Sequence, residues 1–214
     1  MAPNKSTKKA ETRIHEILDI AENLFIEKGY EHTTINDILE ATGFAKGSLY
    51  YYFKSKEDVL DGIIRRQGDE NLEAVRRIVQ ISELNAYAKL LQAVMSLSPQ
   101  DERQRILTED LERSSNGQMF LKSLNDIVQR LAPEIKIIIE QGISEGLFAT
   151  PYPLESAEIL LAAAHALFDN ASLVWTEAEA NTRIIAFITA MERVLGATQG
   201  SLIELFQSSF IRGD

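Results

Sequence analysis

Apolar residues return every three or four positions through almost the whole chain, which predicts helix after helix. Over 11–28, Ile14, Ile17, Leu18, Ala21, Leu24 and Phe25 form one stripe, and Gly29 behind Lys28 can take the left-handed conformation that stops a helix. A second helix opens at Thr34, whose hydroxyl can cap the backbone, with Asp37 in the capping-box position. Ile35, Ile38 and Leu39 face inward there, and Gly43 ends the helix with a tight turn. Phe44 plugs the angle that follows, and a short third helix covers about 45–52. Leu49 and Phe53 stand four apart on one face and anchor that helix to a core. Ser55, with Asp58 in the box position, caps a long fourth helix that runs from 56 through Val59, Leu60, Ile63 and Ile64 towards 78.

The same period continues to the end of the chain. It predicts helices over about 84–97, 101–113, 118–145, 154–176, 179–195 and 201–211. Pro99 stops the first of these, Ser114-Ser115-Asn116-Gly117 is a turn, and Pro133 is a potential kink. Thr150-Pro151-Tyr152-Pro153 is a rigid loop, and 196–200 is a break between two glycines. No segment asks to be a strand and no internal repeat is visible. The expectation is an all-α protein of nine to ten helices. A disordered basic arm spans 1–10, a three-helix cluster spans 11–55, and a larger helical domain spans 56–214.

Composition alters this picture only through where the charge lies. A net charge of −10 argues against a nucleic-acid partner. Residues 1–66, however, carry ten Lys/Arg against eleven Asp/Glu, and the remaining twelve against twenty-one leave −9 on 67–214. A DNA module needs only a local basic face. The absence of cysteine removes disulfides and thiolate metal sites. The opening MAPNKSTKKA has no apolar segment behind it, and 159–168, broken by His165, is too short to span a bilayer. A cytoplasmic protein with no membrane partner is expected.

The candidate chemistry sits after the Gly43 turn. Gly47 removes a side chain near the start of the third helix, where a backbone could approach closely. Lys46 adds positive charge, and the helix start offers N–H groups to a phosphate. Tyr50, Tyr51, Tyr52 and Phe53 are four consecutive aromatics, which cannot all point inward from one helical turn, so some present hydroxyls to phosphate oxygens.

GFAKGSLYYYFKSKEDVL resembles the signature of the TetR family of bacterial transcriptional repressors, and the KGY that ends the first helix and the TTINDILEATG of the second are similar to the same pattern. The likeness covers about 12–64; beyond it the chain resembles the family only in architecture. It implies a homodimer that binds a pseudopalindromic double-stranded operator and leaves it when a small molecule enters the C-terminal domain. It further implies phosphate contacts from Thr33 and Thr34, with Lys46, Gly47, Ser48 and Tyr52 in or near the major groove. Tyr50, Tyr51 and Lys56 would hold the DNA backbone. Ala45 departs from the pattern, since a hydroxyl residue there would cap the third helix.

Two predicted helices are apolar on more than one side and must be buried on more than one side. The spacing of Ala157, Leu161, Ala164, Phe168, Ala171 and Trp175, and of Ile184, Ile188, Met191 and Leu195, predicts a four-helix seam across a twofold axis. An apolar effector pocket is expected between the fourth and eighth predicted helices. Its candidate lining is Tyr87, Leu91, Met95, Leu107, Leu111, Phe120, Leu124, Ile127, Phe148, His165 and Phe168. Met and aromatic side chains suit an adaptable pocket, though each also suits ordinary core. No zinc-binding histidine pair, phosphate-binding glycine loop or nucleophile elbow is present, so neither an enzyme nor a cofactor is expected. The expected function is a repressor released when its ligand lets the long fourth helix swing the two recognition helices apart. The alternative is a DNA-binding regulator or architectural protein with no small-molecule effector.

Overall fold

The computed structural model describes residues 5–97, 118–168 and 175–210, and the regular structure among the described residues is all helical, with no strand. The helices are α1 (Lys5–Lys28), α2 (Ile35–Thr42), α3 (Lys46–Tyr52), α4 (Lys56–Val79) and α5 (Ala86–Leu97), then α6 (Gln118–Ser144), α7 (Pro153–Phe168), α8 (Glu177–Leu195) and α9 (Ser201–Phe210). The helix expected over 101–113 and the turn at 114–117 lie outside the described residues. One difference from the sequence reading stands out: α1 reaches back to Lys5, so most of the expected disordered arm is helix. α6 runs through Pro133, as the helix expected over about 118–145 does.

The chain divides into two compact units, and the division falls inside α4, between Gln67 and Gly68, rather than at its start. The first unit is built on Ile17, Leu18, Ala21 and Phe25 of α1, Ile38 of α2, Leu49 of α3, and Val59, Leu60 and Ile63 of α4. Burial of these side chains drives the cluster, because helices as short as α2 and α3 cannot stand alone in water. α4 comes so close that a Cβ on Gly62 would lie 2.9 Å from the Phe53 ring and 3.0 Å from Leu18. Arg66 then ties α4 to α1, donating to Asp19 and Glu22 at 2.6 Å each.

The second unit buries Val75 and Ile78 of α4 with α5, the Leu131–Ile139 stretch of α6, Ala157 and Leu160 of α7, and Ile188, Met191 and Leu195 of α8. Two buried charges are compensated inside it. Lys89 donates to the carbonyl of Val79, at the open end of α4, and to Gln141 Oε1, at 2.7 and 2.8 Å. The Glu192 carboxylate accepts from the N–H groups of Gly200, Leu202 and Ile203, and so caps α9 from α8. A buried charge left without such bonds would be strongly unfavourable.

Candidate nucleic-acid interface

α3 is a short platform whose inner face is fixed and whose outer face is open. Leu49 is fully buried and Phe53 nearly so, as their spacing predicts. The Phe53 N–H donates to the Leu49 carbonyl and closes the helix. On the outer side Lys46 and Gly47 are exposed, Ser48 and Tyr50 are half-buried, and Tyr51 is 76% exposed. The Lys46 ammonium lies 5.8 Å from the Tyr50 ring centre. Tyr51 meets Tyr52 edge to face, with ring centres 5.0 Å apart. Lys54 donates to the Tyr50 carbonyl at 2.5 Å and covers the negative end of α3. Ala45 gives no side-chain cap, as its methyl side chain dictates.

Gly47 is informative because nothing among the described residues asks for it. Its φ is not positive, and a Cβ built there would meet no atom within 4 Å. A glycine inside a helix costs about 0.5–1 kcal/mol relative to alanine. The missing side chain therefore leaves room on the outside of α3.

The turn ahead of α3 is set by α2. Asp37 N–H donates to Thr34 Oγ1 at 3.1 Å, and Thr34 N–H returns a bond to Asp37 Oδ2 at 2.7 Å. The Thr34 hydroxyl and N–H, with Lys28 beyond, hold the Asp37 carboxyl down at about 2. Gly43 closes α2 with φ of 64°, a value that only glycine takes without strain. At the start of α4, Asp58 N–H donates to Ser55 Oγ, but the Asp58 carboxylate accepts from Lys54 N–H and so shifts the box by one residue.

Three expected contact residues make contacts inside the unit. Thr33 is 1% exposed, and its hydroxyl donates to the carbonyls of Gly29 and Leu24, so it braces the end of α1 and offers nothing to a phosphate. Tyr52 packs against the unit's core instead of standing clear of it. Lys56 donates to the Tyr30 carbonyl at 2.8 Å and sits 4.1 Å from the Tyr30 ring centre. Residue-by-residue reasoning missed Tyr30, because its link to Lys56 joins positions 26 apart.

In the second unit, Tyr87 and Phe148 come together edge to face at 5.4 Å. The Tyr87 hydroxyl bonds Ser201 at 2.9 Å, and a Cβ on Gly142 would lie 2.1 Å from the Phe148 ring. Both are therefore structural groups of the bundle rather than an open lining. Leu91 and His165 are buried, Leu124 and Ile127 half-buried, and Met95 and Phe168 exposed. Leu107 and Leu111 lie outside the described residues, as does the side chain of Phe120. Of the expected dimer seam, Ala157, Ile188, Met191 and Leu195 belong to the unit's own core and have no surface to give a second copy. Leu161, Ala164 and Trp175 are half-buried, with Arg183 stacked on the Trp175 ring at 3.4 Å, and Ala171 lies outside the described residues. The large apolar side chains exposed on α7 and α8 are Ile159, Phe168, Ile184 and Ile185. Sequence reasoning named only Phe168 and Ile184 of these, because both helices are apolar around most of their circumference and one stripe cannot be told from the next.

A short helix seated by two buried residues after a left-handed glycine turn, with lysine and tyrosine outward, is the recognition helix of a helix-turn-helix DNA-binding protein. Residues 17–63 match the model of bacterial regulatory proteins of the tetR family, and 101–190 match that of the tetracyclin repressor-like C-terminal domain. The HTH-type transcriptional repressor KstR2 of Rhodococcus jostii (strain RHA1) is 31% identical over 161 residues, which cover 72% of this chain and 77% of that one. SmeT, the repressor of the Stenotrophomonas maltophilia multidrug efflux pump SmeDEF, has the same fold, with a TM-score of 0.62 at 22% identity over 88% of this chain and 92% of that one. The SmeT–triclosan complex matches alike, with a TM-score of 0.61 at 21% identity over 88% and 93%. The chain belongs to the TetR family and is a transcriptional regulator. No helix among the described residues is long and apolar enough to cross a membrane.

Proposed function

We infer that this regulator is a repressor, a DNA-binding protein and not an enzyme, which holds a pseudopalindromic operator as a homodimer and leaves it when an apolar small molecule binds the second unit. The observation that carries the reading is the outer face of α3: Lys46 and Tyr51 stand exposed beside a glycine that no contact among the described residues requires. Thr34, Ser48 and Tyr50 flank them and complete the proposed contact face. Exposed Ile159, Phe168, Ile184 and Ile185 support a second copy packing on α7 and α8, since large apolar side chains gathered on two neighbouring helices mark an interaction surface. That the SmeT fold accommodates triclosan, and that KstR2 is a repressor, favour a ligand-released repressor over an architectural protein with no effector. Ligand binding then acts as a population shift, favouring an arrangement whose two recognition helices no longer match adjacent major grooves, about 34–36 Å apart.

The contact face is tested by salt titration on a mixed-sequence DNA duplex, which reads phosphate contacts without requiring the operator. Lys46→Ala is expected to weaken binding and to reduce the slope of log K against log salt by about 0.9, the share of one phosphate. An unchanged slope would remove Lys46 from the interface.

A further inference from the structure

The helices on either side of α3 begin on a hydroxyl side chain. Thr34 Oγ1 accepts from Asp37 N–H at the start of α2, and Ser55 Oγ accepts from Asp58 N–H at the start of α4. Ala45 holds the same place before α3, in extended backbone with φ of −60° and ψ of 138°, and gives no side-chain cap. Its carbonyl accepts from Ser48 N–H at 2.7 Å. Alanine ranks far behind serine, threonine, asparagine and aspartate at such a position. Packing does not account for it, because Ala45 is exposed. Gly47, two positions on, is a second local loss, a glycine inside a helix with open space where a Cβ would stand. Two unfavourable local choices in one exposed turn mark a surface set by something outside the chain.

The chemistry of that turn is narrow. Lys46 lies between the two positions, but its ammonium sits 5.8 Å from the Tyr50 ring centre, one turn along the helix, and Ala45 stays exposed. Ser48, half-buried, carries a hydroxyl that can donate or accept and so discriminates little between bases. The alanine side chain has no hydrogen-bonding atom at all. In the major groove the bases present one apolar group, the C5-methyl of thymine. The residues at the start of a recognition helix are the ones that meet base edges. A methyl group at position 45 therefore favours one base over the other three.

We propose that Ala45 is a specificity-determining residue, whose exposed methyl group packs on the C5-methyl of a thymine in each half-site, while Gly47 lets the backbone of α3 come close enough for that contact. The inference rests on the DNA-binding reading and adds to it the base that the head of α3 selects. Lys46 keeps its phosphate role.

The experiment first uses the full chain to select bound duplexes from a random-sequence pool. Each thymine of the enriched half-site is then replaced in turn by uracil, which removes the C5-methyl and nothing else, and binding is measured for the parent and for Ala45→Gly. Glycine is a better N-cap than alanine, so the variant keeps α3. At one thymine position uracil is expected to weaken the parent by about four-fold per half-site, the contribution of one buried methyl group. Ala45→Gly is expected to bind the thymine duplex more weakly by about the same four-fold, and to bind thymine and uracil duplexes alike at that position. The paired changes separate direct contact from an effect of uracil on duplex shape, which Ala45→Gly would leave in place. Half-sites without thymine, uracil duplexes that the parent binds as tightly as thymine duplexes, or a thymine preference that survives in Ala45→Gly would overturn the proposal alone. A pool with no enriched sequence would overturn the DNA-binding reading, and the proposal with it.

Discussion

Gly47 and Thr33 show how one side chain separates a structural from a contacting role. Thr33 is buried with its hydroxyl directed at two carbonyls, so its chemistry ends inside the molecule. Gly47 has the opposite environment, with open space where a Cβ would stand and an ordinary helical φ. Adding a methyl group there therefore affects free and bound protein in opposite directions. Gly47→Ala is expected to stabilise the free protein by about 0.5–1 kcal/mol, read by chemical denaturation. It is expected at the same time to weaken DNA binding, because the new methyl group occupies the space left for the duplex. A variant that gains stability and binds as the parent does would show that the open space at Gly47 is not used.

At the scale of the element, the capping box of α2 makes a pH prediction. The Asp37 carboxyl is held at about 2, below its ordinary 3.8, first by the Thr34 hydroxyl and then by the Thr34 N–H. A depressed carboxyl stabilises the folded state fully above its ordinary value and loses that contribution as pH falls through the folded one. The start of α2 is therefore expected to loosen as pH drops from about 4 to about 2. The Asp37 carboxyl carbon, followed by NMR, should titrate with a midpoint near 2. A midpoint at the ordinary value would show that the box does not form in solution. This box is legible in the sequence because all its parts lie within four residues. The bonds that join elements are not. Lys56 reaches Tyr30 across 26 positions, and Lys89 reaches Gln141 across 52, with no local pattern announcing either. Glu192 reads as one more surface acid on a helix until α9 folds back and places its first N–H groups around the carboxylate. The inward face of α3 was legible because Leu49 and Phe53 stand four apart and so share one face of the helix. The inward face of α8 was not, because Ile184, Ile185, Phe187, Ile188 and Met191 cover most of the helix, and only the packed structure says that Ile188 and Met191 go inside.

For the whole molecule, each unit carries its own core and its own ionic braces. The first joins α1 to α4 through Arg66, and the second joins α4 to α6 through Arg76 with Glu134 and Arg130 with Asp69. An N-terminal DNA module and a C-terminal helical unit with exposed apolar residues on α7 and α8 fit a symmetric regulator, in which two copies present two copies of α3. Symmetry in the protein requires symmetry in its site, and the spacing of the recognition helices sets the spacing of the half-sites. The most direct measurement is selection of bound duplexes from a random-sequence pool by the full chain, followed by sequencing. The account predicts enrichment of an inverted repeat whose half-site centres lie one helical turn, about 34–36 Å, or slightly more apart. Enrichment of an asymmetric single site, or of no sequence at all, would contradict it.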